Sequence, residues 1–340
     1  MGTEEVVDIE GKKALVTGGG GFVGRAIVNR LLAKGVNTRV VGRNRYPALE
    51  ALGVECIRGS VADPDVVATA AKDVDMVFHT AALAGIWGKW SDYYTTNVVG
   101  TSTVIDGCRK NNVPILVHTS SPSVVFNCES IEGDDESLPY GSTHLCHYAK
   151  SKIMAEKEVL ASAGDNLRCC ALRPHLIWGP GDPHLLPRLI AAGTEKKLKR
   201  VGSGDNLVDI SYIDNVAEAH ILAAQNLADS GSASGQAFFI SQGEPVNLWD
   251  WINDLFSRLD IPKVEQAVSY KTAYSIGWIM EKLYLLMGSD SEPRMTRFLA
   301  EQLARSHYFS IGNAQRLLGY TPAVSTEQGL QTTVNWLMKR

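Results

Sequence analysis

The chain has 340 residues, of which 45% are hydrophobic and 21% are charged, a composition typical of a folded, soluble protein with one or two domains. It excludes a disordered chain, a collagen and a coiled coil. The formal net charge of -4 lacks the basic excess that binds nucleic acid phosphates, so we expect no nucleic acid partner.

The N-terminal stretch carries Glu4, Glu5 and Asp8, where a secretory signal would be basic and then apolar. No apolar run reaches the roughly 18 residues that a transmembrane helix needs, so we predict no transmembrane segment. The six cysteines are scattered, without the paired spacing of structural zinc sites or the density of a disulfide scaffold. We therefore expect a reducing, cytoplasmic location.

Short β-branched runs alternate with amphipathic stretches of helical length from residue 12 onward. This alternation is typical of a parallel sheet crossed by helices. It predicts an α/β protein with a doubly wound parallel sheet of the Rossmann type. We expect strands at residues 13–16, 38–41, 55–58, 76–79, 115–118, 169–172 and 237–240, with helices at 23–32, 95–110, 148–160 and 214–224.

The pattern changes after Pro174, where glycine and proline crowd a loop over residues 179–187. Later segments are helical and aromatic, which predicts a smaller, mostly helical lobe. We expect a ligand cleft between the two parts. The expected bounds are residues 10–178 and 206–245 for the sheet domain, and residues 179–205 and 246–340 for the lobe.

A glycine-rich loop follows the first predicted strand and opens the first helix. In the spacing Gly18-x-x-Gly21-x-x-Gly24, the glycines provide a tight turn, close approach of the backbone to a pyrophosphate, and close contact between helix and strand. The helix N-terminus, at Phe22 and Val23, would face the phosphates with its partial positive charge. The loop predicts a dinucleotide cofactor.

The second predicted strand ends in Val41-Gly42-Arg43-Asn44-Arg45, without the acid that holds the ribose 2′-hydroxyl of NAD. Arg43 or Arg45 could instead pair with a 2′-phosphate. We therefore favour NADP(H) over NAD(H). The alternative is that these arginines form an ordinary solvated turn.

Tyr148 and Lys152 lie one turn apart on the same face of a predicted helix. A nearby ammonium can lower a phenol pKa by about 1–3 units, so that Tyr148 could exchange a proton with a carbonyl or carbinol oxygen. The fifth strand runs into residues 119–121, at the ligand-binding edge of an open α/β sheet, where Ser121 could donate to the reacting oxygen. The alternative for Tyr148 and Lys152 is that they form an ordinary helix surface. The alternative for Ser121 is a role in a turn or as a helix cap.

Together these motifs resemble the extended short-chain dehydrogenase/reductase family, over nearly the whole chain. The motifs are the loop 17–24, the helix start 97–101, the serine motif 119–121, Tyr148-x-x-x-Lys152, and residues 172–182 and 212–217. The resemblance implies dimerisation through the helices at 95–110 and 148–160. It implies that Ser121, Tyr148 and Lys152 are catalytic. It also implies that five residues contact the cofactor: Tyr148, Lys152, Ala81, Pro174 and Leu176.

Within that family, the serine motif and residues 293–298 and 307–310 are similar to the branch of 3β-hydroxysteroid and sterol-4α-carboxylate 3-dehydrogenases. The bacterial 2-alkyl-3-oxoalkanoate reductases share the aromatic insert at 85–88 and the stretch 175–178. Steroid members usually keep an acid where Gly42 stands, so the resemblance favours NADPH-linked reduction over NAD-linked sterol oxidation. Ser60 stands where many relatives place an aspartate on the adenine.

We therefore predict an NADP(H)-dependent oxidoreductase that interconverts a ketone and a secondary alcohol on a large hydrophobic β-keto or β-hydroxy acid. A 3β-hydroxysteroid or sterol-4α-carboxylate 3-dehydrogenase is the second candidate. An NAD-dependent sugar-nucleotide epimerase and a non-catalytic NADP-sensing protein are the remaining alternatives. The presence of Tyr148 and Lys152 argues against the last.

Several further residues have an ordinary and a functional interpretation. For the apolar segment 274–287 we favour core packing; the alternatives are a wall of a hydrophobic substrate site and peripheral contact with a membrane. Substrate-wall candidates after the fourth strand are Trp87, Trp90, Tyr93 and Tyr94. Cations that could pair with a substrate carboxylate, although other roles are commoner for each, are Lys89, Arg188 and His175.

His144, Cys146 and His147 lie close together in the sequence but have no second ligand cluster with suitable spacing. We therefore expect no metal site.

Overall fold

The computed structural model describes residues 9–339; the N-terminal acids considered above and Arg340, the last residue of the predicted lobe, lie outside this range. Its strands, numbered in chain order, are β1 (Lys13–Thr17), β2 (Asn37–Gly42), β3 (Glu55–Arg58), β4 (Met76–His79), β5 (Ile115–Thr119), β6 (Ile131–Asp134), β7 (Arg168–Pro174), β8 (Ile177–Trp178), β9 (Arg200–Val201), β10 (Leu207–Val208), β11 (Ser211–Tyr212), β12 (Ala237–Ile240), β13 (Val246–Asn247), β14 (Ala267–Val268) and β15 (His307–Phe309).

The helices, also in chain order, are α1 (Phe22–Ala33), α2 (Pro47–Glu50), α3 (Pro64–Ala70), α4 (Trp90–Tyr93), α5 (Gly100–Lys110), α6 (His147–Ala161), α7 (Leu185–Thr194), α8 (Ile213–Ala228), α9 (Leu248–Arg258), α10 (Tyr270–Leu286), α11 (Arg297–Ala304), α12 (Gly312–Leu318) and α13 (Thr326–Leu337). A π-helical stretch, Tyr94–Val99, joins α4 to α5, and a short 3-10 helix spans Pro122–Val124.

Seven strands form one parallel sheet in the order β12-β7-β5-β4-β1-β2-β3. From β1 the chain first builds one side of the sheet through β2 and β3, and then crosses to β4 and builds the other side. Ligands of such doubly wound sheets bind in the crevice at the carboxyl ends of the strands where this reversal occurs, here β1 and β4. The structure thus confirms the predicted fold class, and the seven predicted strands agree with those observed to within two residues at each end.

Alternate residues of the central strands face two separate cores, as a sheet covered by helices on both faces requires. Ala14 and Val16 face a core that α1 and α8 complete, while Leu15 faces a core that α3, α5 and α6 complete. In α1, Ile27 and Leu31 are fully buried because residues four apart lie on the same side of a helix.

A further aromatic core lies beyond the central sheet. The Trp178 ring packs edge-on against Trp251 at 5.4 Å and against Tyr212 at 5.2 Å between ring centres. Short strands support it, among them a four-stranded sheet in the order β13-β10-β15-β6. The sequence patterns did not indicate these strands, because three of them have only two or three residues and β6 is mostly exposed, without an apolar run.

The favoured interpretation of 274–287 as core packing is wrong for much of its surface. The small residues Ala273 and Gly277 are buried, and a Cβ added at Gly277 would lie 2.6 Å from the backbone of Thr296. The third buried residue of this helix is Glu281, whose carboxylate accepts from Arg297, and the large apolar side chains point outward. The exposed apolar residues are Ile276, Trp278, Ile279, Leu283, Leu285, Leu286 and Met287. Among residues 9–339, no helix is long and apolar enough to cross a membrane.

Candidate active site

The glycine loop joins β1 to α1 at the crevice of the sheet. Gly18 has a φ of +69°, and a Cβ at this position would lie 2.9 Å from the backbone of Ala81, the residue that follows β4 by two positions. A Cβ at Gly24 would clash with the carbonyl group of Gly18. Both positions therefore require glycine to keep the loop, the helix and the end of β4 in contact.

The N-terminus of α1 is suited to an anion. Gly21 occupies the N-cap position, and the structure describes the whole of this helix and shows neither a side-chain cap nor an acid in its first turn. The first backbone N–H groups of a helix have no partner within the helix, and here they belong to Phe22, Val23 and Gly24. This end of the helix therefore fits the pyrophosphate of a dinucleotide.

An aromatic ring shapes the end of β2. The Tyr46 side chain packs against Gly20 and Gly42, and a Cβ at Gly42 would clash with the Tyr46 hydroxyl group. An aspartate or glutamate at position 42 is therefore incompatible with this placement of Tyr46. The space where NAD-binding folds keep an acid is filled by a phenol.

A cleft of about 480 Å³ opens beside this tyrosine. Arg45 and Arg58 both line it, and Arg58 Nε donates to the carbonyl oxygen of Arg43 at 3.2 Å. Sequence reasoning missed Arg58, which ends β3. The signal that could have found it is the pairing of β2 with β3. Gly42 and Arg58 are register partners in these adjacent parallel strands, so the residues around them meet at the same edge of the sheet.

The three predicted catalytic residues come from two segments. Tyr148 and Lys152 lie on α6, and the Tyr148 hydroxyl shares a hydrogen bond with Ser121, which follows β5. Lys152 is 2% exposed, and its Nζ donates to the carbonyl oxygen of Thr119 at 2.6 Å. The same Nζ lies 3.1 Å from Nε2 of His118.

The expected lowering of the Tyr148 pKa is wrong for this structure. Burial raises the pKa of Tyr148 to about 12, which the hydrogen bond from Ser121 only partly offsets. Burial also lowers the pKa of Lys152 to about 8, against an opposing effect of the nearby Glu156 carboxylate. Desolvation is thus the largest influence on both pKa values, and the lysine nitrogen is directed at Thr119 and His118.

Two histidines that the sequence analysis did not single out lie under this cluster. His79 ends β4, and its ring nitrogens contact Thr17 Oγ1 at 2.7 Å and Thr101 Oγ1 at 2.9 Å. Its ring centre lies 5.2 Å from that of His118 in the next strand. Each histidine ends an apolar run, a position that in a parallel sheet brings side chains of neighbouring strands together.

Asn97 ties the loop after β4 to α6. Its Oδ1 accepts from the Leu83 amide at 2.7 Å, and its Nδ2 donates to Ser151 Oγ at 2.9 Å. It sits in the π-helical stretch, whose irregularity allows a side chain to reach both partners; such stretches are frequent at functional sites. The motif at 97–101 was recognised, but this role was not predicted.

The segment after β7 borders the same crevice. Leu176 has a φ of +40°, uncommon for a residue with a branched side chain. Next to it, His175 Nε2 lies 2.6 Å from His307 Nδ1, a contact that fastens this segment to β15. The His175 side chain thus contacts another histidine and is not free to bind a substrate carboxylate.

The other two carboxylate candidates are also partnered. Lys89 pairs with Asp290 at 3.1 Å, and Arg188 pairs with Glu292 at 2.8 Å. Both cations therefore already have an acidic partner on another segment of the chain.

Most of the aromatic candidates hold the loop at 85–90 in place. The Tyr93 hydroxyl donates to the carbonyl oxygens of Gly85 and Trp87, and Trp87 Nε1 donates to the Ser289 carbonyl at 3.2 Å. Trp90 packs on His147, with ring centres 5.6 Å apart, at the start of α6. Within the described part of the chain, no three His, Cys, Asp or Glu side chains lie close enough together to hold a metal ion.

The model of the 3-beta hydroxysteroid dehydrogenase/isomerase family matches residues 15–270. The chain is 46% identical over 321 residues to 2-alkyl-3-oxoalkanoate reductase of Stenotrophomonas maltophilia, covering 94% of this chain and 97% of that protein. It is 33% identical to the decarboxylating sterol-4-alpha-carboxylate 3-dehydrogenase of Mus musculus, covering 98% and 93%. Among solved structures, MoeE5 in complex with UDP-glucose and NAD is 25% identical with a TM-score of 0.73, covering 96% and 99%.

Proposed function

Since the chain belongs to the 3-beta hydroxysteroid dehydrogenase/isomerase family, and is therefore an oxidoreductase that uses a nicotinamide cofactor, we propose that it carries out NADP(H)-linked interconversion of a ketone and a secondary alcohol. The proposed substrate is a large hydrophobic β-keto or β-hydroxy acid. The observation that carries the proposal is the cluster formed by the buried Lys152 with the half-buried Ser121 and Tyr148, beside a glycine loop and an uncapped helix N-terminus.

The side chains of the cluster divide the work of ketone reduction. A bound nicotinamide would supply the hydride to the carbonyl carbon. Tyr148, kept protonated at neutral pH by its raised pKa, would donate its proton to the carbonyl oxygen as negative charge develops there. Ser121 would donate a hydrogen bond to the same oxygen. Lys152, held by the Thr119 carbonyl, would favour the phenolate that remains on Tyr148.

The preference for NADP(H) is supported by charge and shape at the end of β2. Tyr46 fills the space of an acid beside Gly42. Arg45 and Arg58 line the adjacent cleft, and Arg43 is joined to Arg58 through its backbone. We propose that these three guanidinium groups recognise the 2′-phosphate.

The hydrophobic substrate is supported by the relatives. The reductase of Stenotrophomonas maltophilia covers nearly the whole chain at 46% identity. We propose that residues 179–205 and 246–340 form a substrate lobe around the aromatic core of Trp178 and Trp251. The predicted cytoplasmic location, homodimer and membrane contact of the segment 274–287 stay predictions.

Sterol oxidation is the second candidate, favoured by the 33% identity over 98% of the chain to the murine sterol dehydrogenase. The clash between Tyr46 and a side chain at Gly42 argues against its NAD-linked form.

The deciding experiment compares substrates and cofactors in one absorbance assay of NAD(P)H. A long-chain 2-alkyl-3-oxoalkanoic acid is offered with NADPH and with NADH, and a 3β-hydroxy sterol with NADP and NAD. We expect turnover of the oxo acid with preference for NADPH. Turnover of the sterol alone would replace the proposed substrate class, and a preference for NADH would contradict the role of the arginines.

A further inference from the structure

The lysine of the cluster has a polar neighbour on the central sheet. Lys152 Nζ lies 3.1 Å from His118 Nε2, and the two side chains are 2% and 1% exposed. A second bond of 2.6 Å runs to the Thr119 carbonyl oxygen. Because an ammonium group has three N–H bonds, two fixed partners determine the direction in which the third points.

His118 occupies this position at a cost in stability. Its other ring nitrogen, Nδ1, is buried without a hydrogen-bond partner among the residues that the structure describes. A buried polar atom left unpaired costs about 1–3 kcal/mol. An apolar side chain would avoid that cost, as Leu116 and Val117 do in the same strand. The unpaired nitrogen therefore indicates that the remainder of the ring has a function.

Three titratable groups face His118: Lys152 from α6, His79 from β4 and His220 from α8. Burial and these neighbours hold the pKa of His118 well below its ordinary value, so the ring is neutral. A neutral imidazole can carry its proton on either nitrogen. With the proton on Nδ1, Nε2 accepts from a lysine ammonium; with the proton on Nε2, the ring donates to a neutral amine.

We propose that His118 is the positioning residue of Lys152, and that it holds the lysine nitrogen in both its protonated and its neutral form. This inference rests on the proposed function, in which Lys152 acts on Tyr148 and the cofactor. Both forms of the lysine occur near neutral pH, because burial brings its pKa down to about 8.

Substitutions at His118 can separate this role from simple packing. In His118→Phe the ring volume is kept but the acceptor is lost, so the ammonium form is less stable and the pKa of Lys152 falls further. In His118→Gln the carboxamide reaches about as far as Nε2 and can still accept from the ammonium or donate to the amine. In His118→Asn the shorter carboxamide reaches only as far as Nδ1, which makes it the matched control.

The test measures kcat/KM for NADPH-linked turnover across the pH range around 8, with thermal unfolding of each variant. For His118→Phe and His118→Asn we expect a loss of about tenfold to hundredfold and an alkaline limb shifted to lower pH. For His118→Gln we expect a rate within about threefold of the wild type and an unshifted limb. Equal behaviour of the glutamine and asparagine variants, or a wild-type pH profile in His118→Phe, would overturn the proposal.

A second readout needs no substrate. Titration of NADPH fluorescence across the same pH range reports how Lys152 supports cofactor binding. If the wild-type protein turned over no oxo acid, the proposed substrate would be wrong, while the binding profiles of the phenylalanine and glutamine variants would still decide the role of His118. A wild-type protein that bound no NADPH would overturn both proposals.

Discussion

The two sides of the crevice are built in different ways. On the β1 side, the glycine loop is one continuous segment, residues 17–24, packed against Tyr46 and the backbone of Ala81, and it works through backbone N–H groups and the absence of side chains. On the β5 side, His118 and Ser121 come from the end of β5 and Lys152 comes from α6, and side-chain contacts hold them together. The first side depends mainly on the conformation of one segment and the second on side-chain contacts between two segments, so substitutions should affect them differently.

The largest effect is expected on the β5 side, from Tyr148→Phe. Loss of the proton donor should reduce turnover by about 10²–10⁴-fold. NADPH binding should stay close to that of the wild type, because the glycine loop and the uncapped helix are untouched. Steady-state kinetics and NADPH fluorescence measure the two quantities separately. Turnover within a factor of ten of the wild type would show that another group supplies the proton.

Glu156→Gln tests how strongly side-chain contacts hold α6, the helix that carries Tyr148 and Lys152. Glu156 is fully buried in α6, and its carboxylate bonds Arg173 at 2.6 and 3.1 Å. Removal of one charge leaves the guanidinium buried and unpaired, so the free energy of unfolding should fall by about 3–5 kcal/mol. Urea denaturation measures the change. The matched control is Glu158→Gln on the same helix, which should alter stability by less than about 0.5 kcal/mol.

Gly24→Ala makes the corresponding test on the β1 side. The new methyl group would clash with the Gly18 carbonyl, and such overpacking typically costs about 1–3 kcal/mol in unfolding free energy. Cofactor binding should weaken with it, because the loop and helix would separate. The control is Gly164→Ala, where an added Cβ has no atom within 4 Å. If both variants unfolded alike in urea, the close packing of the loop would not matter.

The smallest effect concerns cofactor choice at the same side. Arg45→Ala and Arg58→Ala should each lower the preference for NADPH over NADH by about three- to tenfold, since exposed charge pairs are partly screened by water. Ratios of kcat/KM for the two cofactors provide the measurement. Arg109→Ala, an exposed arginine at the end of α5, should leave the ratio unchanged. An unchanged ratio in Arg45→Ala and Arg58→Ala as well would remove the support for a 2′-phosphate site.

The sequence predicted what depends on local pattern. The strands of the central sheet follow from apolar runs, and Gly18 and Gly24 follow from glycine spacing between a strand and a helix, which is typical of a phosphate-binding loop. Arg58 and His118 could not be found this way, because their partners become neighbours only when distant strands pair. The direction of the Tyr148 pKa shift was missed for a similar reason. Burial raises this pKa, and burial depends on the folded molecule, not on the spacing of a tyrosine and a lysine in the sequence.

The helix α10 shows the limit of periodicity arguments. Its apolar residues are frequent enough to suggest a buried face, yet the face that packs against Thr296 holds Ala273, Gly277 and Glu281. The large apolar residues, including Trp278 and Leu286, therefore lie on the exposed side. Composition alone does not show which face of a helix has a partner.

Isotope transfer tests the central claim most directly. NADPH carrying deuterium on the transferable position of its nicotinamide is mixed with a long-chain 2-alkyl-3-oxoalkanoic acid and the protein, and the product is examined by mass spectrometry. We predict a 3-hydroxy acid with one deuterium on carbon 3, formed by the wild type and formed at least about 10²-fold more slowly by Tyr148→Phe. A hydroxy acid without deuterium, or label transfer that survives in Tyr148→Phe at the wild-type rate, would contradict the account.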